Sequence, residues 1–276
     1  MDAAFYTRRG GLYESSELTR GPWDPGSQHA GPPAALLGRE IERIASEGPR
    51  QVGRVTFEIL RPVPIAPLSV EAEIVRPGRR VELIEAVLSD GERALIRATA
   101  WRLRAAELDL PVGVTSAGSQ AAGGRSATLS PGSRPPGPDQ GEPAPFFPTG
   151  EEVGYHTAMD YRFVAGDFLA PGPATVWMRP RHPLVAGEET TPLERVLLAA
   201  DSGNGVSATL DFERLVFINV DLTVHLNRLP SGEWVCLDSV TIPERNGVGL
   251  TDTALHDELG PIGRAAQTLL VADRSA

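Results

Sequence analysis

The chain has 276 residues, of which 41% are hydrophobic and 22% charged, so it can bury a real core and fill one large domain or two ordinary ones. All 26 basic residues are arginine, which excludes Walker-loop phosphate chemistry and lysine Schiff bases, and the single Cys236 excludes an internal disulfide and a multi-cysteine metal site. The net charge of −10 is uneven, with 15 arginines against 14 acids in residues 1–104 and 11 against 22 thereafter, so there is no broad basic face for nucleic acid and only a small anionic ligand suits the few local arginines.

Two short strand-like pieces open the chain, Ala3–Arg8 and Leu12–Thr19. A proline-led helix follows over Pro33–Ser46, with Leu37, Ile41 and Ile44 at helical spacing and Arg39, Glu40, Glu42 and Arg43 on the other face. Four strands are predicted near 52–60, 67–76, 80–88 and 93–103, with Asp90-Gly91 marking a hairpin turn. From Ala105 to Gly150 the composition shifts to Gly, Pro, Ser and Ala, as in GSQAAGGRSATLSPGSRPPGPDQGEPAP. Such a segment buries too little apolar surface to offset its ordering entropy, so it reads as a flexible linker between units at 1–104 and 151–276.

The second unit repeats the grammar of the first. Strand-like pieces at 155–164 and 173–179 precede a helix opened by Thr191-Pro192-Leu193-Glu194, a capping box with proline at the first helical position. Leu193 and Leu197 form its buried stripe, Ser202-Gly203-Asn204-Gly205 ends it, and strands near 214–227, 233–242, 247–255 and 261–271 complete the unit. The expectation is α+β, stated twice: a curved antiparallel sheet wrapped on a long helix in each half. The single cysteine, the lack of a charged-then-apolar leader and the lack of any apolar run near the ~20 residues of a membrane span predict a soluble protein of the cytoplasm.

A few polar residues break these patterns. Asp201 continues the Leu193–Leu197 stripe at i+4, so it is either hydrogen-bonded in the interior for a function or turned to water beside Gly203. The strand 219–227 alternates, with Val220, Leu222, Val224 and Leu226 on one face and Asn219, Asp221, Thr223, His225 and Asn227 on the other. In the last strand Gln267 shares a face with Ala265, Leu269 and Val271, as a buried amide or an edge residue reaching water. Arg76, Arg79 and Arg80 cluster at one hairpin turn and Arg8-Arg9 at another, either as phosphate ligands or as solvated charge.

Other templates fail. Gly203-x-Gly205-x-x-Ala208 follows a helix and is no dinucleotide fingerprint, and no nucleophile elbow occurs. Five scattered histidines provide no metal spacing, and Cys236 sits mid-strand as a structural thiol. Water activated by carboxylate and amide groups remains.

The segments GPWDPGSQHAGPPAALLGREIE and RVTFEILRPVPIAPLSVEAEIVRPGRRVELIEAVL resemble the amino-terminal part of the acyl-CoA thioesterase II family. LERVLLAADSGNGVS, FINVDLTVHLNR and GRAAQTLL resemble its carboxy-terminal part, and together these cover nearly everything except 105–150. The resemblance implies a double-hotdog fold, no cofactor and a homo-oligomer. It also implies a catalytic triad at Asp201, Asn219 and Gln267, with Asn219 standing where the family usually has threonine or serine. These three would activate water against an acyl-CoA thioester. Backbone N–H groups near His29-Ala30-Gly31 would meet the oxyanion, with Gly31 the last donor before two prolines, and His29 would be a ligand partner or a cap residue. Coenzyme A phosphates would rest near Arg76, Arg79 and Arg80. Ala100 stands where the first half would need a counterpart of Gln267, which implies one site per chain. Two other readings stand beside this one: a hotdog dehydratase or hydratase, for which 24–29 lacks the expected acid–histidine motif, and a catalytically weak acyl-CoA binding protein, which Asn219 favours.

Overall fold

The computed structural model describes residues 3–109, 134–146 and 148–274. Its strands are β1 (Tyr6–Arg9), β2 (Leu12–Ser15), β3 (Arg50–Ile59), β4 (Pro67–Arg76), β5 (Val81–Ser89) and β6 (Ala94–Arg104) in the first half. The second half adds β7 (Met159–Ala165), β8 (Ala174–Pro180), β9 (Leu215–Asn219), β10 (Asp221–Leu226), β11 (Val235–Pro243), β12 (Val248–Asp257) and β13 (Gly260–Asp273). The helices are α1 (Gly31–Arg43), α2 (Tyr155–Ala158), α3 (Pro192–Ala200) and α4 (Gly203–Val206). No helix among the described residues is long and apolar enough to cross a membrane.

All the strands join one antiparallel sheet in the order β1-β2-β4-β5-β6-β3-β10-β13-β12-β11-β8-β7, with β9 pairing β13. The two halves meet at β3 and β10, in a register running from Asp221 opposite Glu58 to His225 opposite Arg54. α1 packs on β3, β4 and β5, α3 packs on β8 and β11, and the two helices pack on each other. One apolar core therefore runs through both halves, from Leu36, Leu37 and Ile41 to Leu193, Val196 and Leu197.

The helix contact explains two glycines of α1. A Cβ on Gly31 would stand 2.5 Å from the Leu198 carbonyl oxygen, and one on Gly38 would collide with the Leu197 side chain. Burial of α1 against α3 also corrects its expected polar face. Arg39 is only 2% exposed. It donates to Glu188 (Nε to Oε2, 3.0 Å) and to the Tyr13 hydroxyl at 2.8 Å. α1 begins two residues before the expected Pro33, because Pro32 and Pro33 occupy first-turn positions whose amides have no intrahelical acceptor, and it ends at Arg43, three residues short of Ser46, where Ile44 turns extended. α3 carries the expected cap, with Thr191 Oγ1 accepting from Glu194 N and Glu194 Oε2 accepting from Thr191 N.

Three other expectations change. The piece expected at 155–164 starts as α2 before turning into β7. The single strand expected at 214–227 is broken at Val220 into β9 and β10. Leu269 is opposite Asn219, while Ala266 is opposite Thr223, so β9–β10 holds one more residue than β13 across the break. Within the stretch read as a linker, residues 110–133 lie outside the described residues. From there the chain lies on the second half: Trp177 Nε1 donates to the Pro136 carbonyl at 2.7 Å, and Glu142 bridges Phe163.

Candidate active site

Asp201 caps the C-terminus of α3 and is 4% exposed, so the interior reading of the residue is the one observed. The extra residue at Val220 aims Asn219 at it. A bulge reverses the in-and-out alternation. Asn219 thus stays on the face of the buried Phe217 while Leu222, Val224 and Leu226 take the interior after it, and Val220 is turned out, 44% exposed. The expected grouping of Val220 with Leu222, and of Asn219 with Asp221, is corrected accordingly. Asn219 Nδ2 donates to Asp201 Oδ1 at 2.8 Å and to the Asp221 carbonyl at 3.2 Å.

Gln267 lies on a central strand and is 1% exposed, which replaces the edge-strand alternative. Its Oε1 accepts from the Asn204 N–H at 3.1 Å, and that fixes which end of the amide faces Asp201. Nε2 then donates to the Asp201 carbonyl at 3.1 Å and reaches Oδ1 at 3.4 Å. This closeness depends on Gly203, where a Cβ would stand 2.6 Å from Thr253 Oγ1 and 3.0 Å from Gln267 Oε1. The glycine that marks a helix stop in the sequence is also what lets α4 seat against the sheet.

Asp201 Oδ2 stands 3.2 Å from His29 Nδ1. The Gly31 N–H donates to that same nitrogen at 3.1 Å. The expectation of Gly31 as the oxyanion donor is thereby corrected: its N–H is already engaged, and the space beside its Cα is filled by the Leu198 carbonyl. Ala30, one residue earlier, lines the cavity, and its N–H has no protein acceptor among the described residues. Burial pulls the His29 pKa below its ordinary value, and the neighbouring Asp201 carboxylate acts in the opposite direction.

These groups edge a cavity of about 370 Å³. Six aromatic side chains, Trp23, Phe146, Tyr155, Tyr161, Phe168 and Phe212, stand on its walls beside aliphatic ones, and Asp201, Asn219, His29 and Arg61 are among the polar residues that line it. Gln267 is not on the wall and holds Asp201 from behind. The structure does not bring Arg76, Arg79 and Arg80 to this place. They lie at the β4–β5 hairpin, beside the Arg50 end of β3, whereas the cavity lies at the Ile59 end. A strand of that length spans roughly 30 Å. Arg76 instead donates to the Val81 carbonyl and sits over Trp101. Arg61, which follows β3 and was not singled out from the sequence, is the arginine among the lining residues, with its Nη1 donating to the Ala94 carbonyl at 3.1 Å. Among the described residues no cluster of His, Cys, Asp and Glu is placed to hold a metal ion, and burial pushes the Cys236 thiol pKa up.

The helix-backed antiparallel sheet is shared with solved structures. An acyl-CoA thioesterase II from Mycobacterium marinum is 18% identical, with 97% of this chain and 95% of that one covered and a TM-score of 0.65. A conserved protein of unknown function with hot dog fold from Alicyclobacillus acidocaldarius is 13% identical, with the same coverage and a TM-score of 0.69. A Thermobifida fusca protein assigned to thioesterase II is 18% identical over 97% of this chain and 95% of its own, with a TM-score of 0.72. The fold is of the hotdog type. No curated protein sequence matches the chain. Residues 19–103 match the acyl-CoA thioesterase N-terminal domain and residues 138–271 the acyl-CoA thioesterase C-terminal domain, so the chain belongs to this thioesterase family.

Proposed function

We propose that the protein hydrolyses an acyl-CoA thioester to the free acid and coenzyme A. In this reading it is a double hotdog, with units at 1–104 and 151–276 joined by 105–150, and the second unit carries the working carboxylate. The observation that carries the reading is Asp201: a carboxylate held by two amides, with an edge on an aromatic-walled cavity. Asp201 takes a proton from water as the water attacks the thioester carbonyl. Asn219 and Gln267 keep the carboxylate from rotating, Gln267 as a positioning residue because it does not reach the cavity. The Ala30 N–H, at the start of α1, is the available donor to the developing oxyanion. Apolar walls take the acyl group, and Arg61 supplies the positive charge for coenzyme A that the sequence reading assigned to Arg76, Arg79 and Arg80. No cofactor enters the scheme.

The experiment is release of free thiol from short to long acyl-CoAs by the protein and by Asp201→Asn. Hydrolysis that falls by about 10²-fold or more in the variant supports Asp201 as the base. Unchanged rates remove it from the mechanism.

The hydrogen bond from Asn219 Nδ2 to Asp201 Oδ1 favours one second reading. An amide on this oxygen occupies a lone pair that a catalytic water would use, as suits a site kept for acyl-CoA binding. Tight acyl-CoA binding without thiol release would select that reading.

A homo-oligomer belongs to the same proposal and is supported by the outer face of the sheet. Ile242 and Leu250 are cross-strand partners, 54% and 49% exposed, and the neighbouring pair Val248 and Leu270 is 50% and 47% exposed. A contiguous apolar patch of this kind on a sheet face fits a second copy of the chain.

A further inference from the structure

The hydrolysis scheme gives no task to His29, yet the fold holds its ring closely. The imidazole lies flat on Tyr155, with 3.8 Å between ring centroids and 7° between planes. Tyr155 is itself pinned, since its hydroxyl donates to the Leu198 carbonyl at 2.6 Å and lies 3.0 Å from the Ser202 hydroxyl. Two groups compete for His29 Nδ1: the Gly31 N–H at 3.1 Å and Asp201 Oδ2 at 3.2 Å. A ring nitrogen that accepts a hydrogen bond bears no proton, so the neutral ring carries its proton on Nε2. In that state a lone pair faces a carboxylate oxygen. The contact becomes attractive once a proton lies between them, which happens when Asp201 removes one from water.

Among the described residues, Asp201 approaches the ring from the end of α3, Tyr155 stacks on it from α2, and Asp24, Arg61 and Tyr161 lie on the same cavity wall. Burial lowers the His29 pKa. The ring is therefore neutral and ready to accept near pH 7, and its protonated form is a ready acid.

We infer that His29 is the proton carrier of this site, accepting at Nδ1 the proton that Asp201 takes from water and giving its Nε2 proton to the departing coenzyme A sulfur. This rests on the thioesterase reading above. The water oxygen bonds to the thioester carbonyl carbon as one of its protons passes to Asp201 and on to Nδ1. The C–S bond then breaks with its electron pair on sulfur, and the sulfur takes the Nε2 proton to leave as free thiol. The carboxylic acid product ionises to solvent, and the ring, left with its proton on Nδ1, exchanges back to the starting tautomer. Protonation of Nδ1 also frees the Gly31 N–H, which becomes a second donor while the oxyanion exists.

The test uses one acyl group on two leaving thiols, coenzyme A and 4-nitrothiophenol, whose electron-poor thiolate departs without help from an acid. His29→Gln is expected to lower kcat on the acyl-CoA by about 10²-fold and on the aryl thioester by less than about 10-fold. Equal losses on both overturn the role. If the variant does not fold, the unaltered protein decides the matter: proton donation makes kcat nearly independent of the leaving thiol's acidity across a series of thioesters, and a steep dependence overturns it. Failure of the unaltered protein to hydrolyse any thioester removes the thioesterase reading itself and this role with it.

Discussion

Asn219 reaches Asp201 across 2.8 Å because the chain gains one residue at Val220. Without the bulge, an amide on this strand would share a face with Asp221 and miss the carboxylate. Fixing the carboxylate by one charge-assisted hydrogen bond contributes about 1.5–3 kcal/mol, which is a factor of roughly 10 to 100 in rate if the bond is needed in the transition state. Asn219→Ala is therefore expected to lower kcat for acyl-CoA hydrolysis by about that factor with little change in KM. Steady-state kinetics on the two proteins check this, and an unchanged kcat would assign Asn219 to structure alone.

Gly203 links the helix side of the site to the sheet. A methyl group there meets Thr253 Oγ1 at 2.6 Å and Gln267 Oε1 at 3.0 Å, so α4 must retreat or Gln267 must release Asn204. Gly203→Ala is expected to destabilise the protein by about 1–3 kcal/mol through this overpacking. Because Gln267 holds Asp201 through the same amide, activity is expected to fall beyond what the melting temperature explains. Denaturation and kinetics measured together separate the two effects. Full activity with lowered stability would mean that Gln267 does not position the base.

The fold was legible where a local rule matches the tertiary result. The capping box at Thr191 and Glu194 and the stripe from Leu193 to Asp201 follow helical spacing, and the hairpin at Asp90-Gly91 follows turn chemistry. The site was legible as residues but not as geometry. Period-two reading cannot see the bulge at Val220, because the bulge depends on pairing with β13. Arg39 looked solvent-facing because its covering comes from α3 and Glu188, about 150 positions along the chain. Arg61 carried no sequence signal apart from following a strand, and the Arg76–Arg80 cluster, which did stand out as a run, lies at the other end of the sheet from the cavity.

Glu194 provides a pH test of the packing between α1 and α3. Burial, with Glu42 adding, raises its carboxyl pKa to about 7, against 4.5 ordinarily. The folded chain then holds a proton that the unfolded chain releases, so the stabilising contribution is complete below pH 4.5 and is lost as the pH rises through about 7. Glutamine at this position still accepts from Thr191 N and carries no charge to bury. Glu194→Gln is expected to raise stability at pH 8 by on the order of 1 kcal/mol and to have little effect near pH 5. Urea denaturation at the two pH values checks this. An equal effect at both would show that the carboxyl does not titrate in that window.

The outer face of the sheet makes the last prediction. Ile242 and Leu250 sit opposite one another on β11 and β12, and Val248 sits opposite Leu270 on β12 and β13, so the four side chains form one apolar surface next to the charged pair Asp252–Arg264. In a single chain this surface faces water. A glutamate at Ile242 barely changes the chain's own packing, because that side chain is half exposed already. Between two apposed sheets, however, the same carboxylate would be buried without a partner, which is strongly unfavourable. Ile242→Glu is therefore expected to leave the melting behaviour of the isolated chain nearly unchanged while shifting sedimentation from an assembly toward the single-chain mass. If the unaltered protein already sediments as a single chain, the patch is not a self-association surface, and if the variant stays assembled, the copies meet elsewhere.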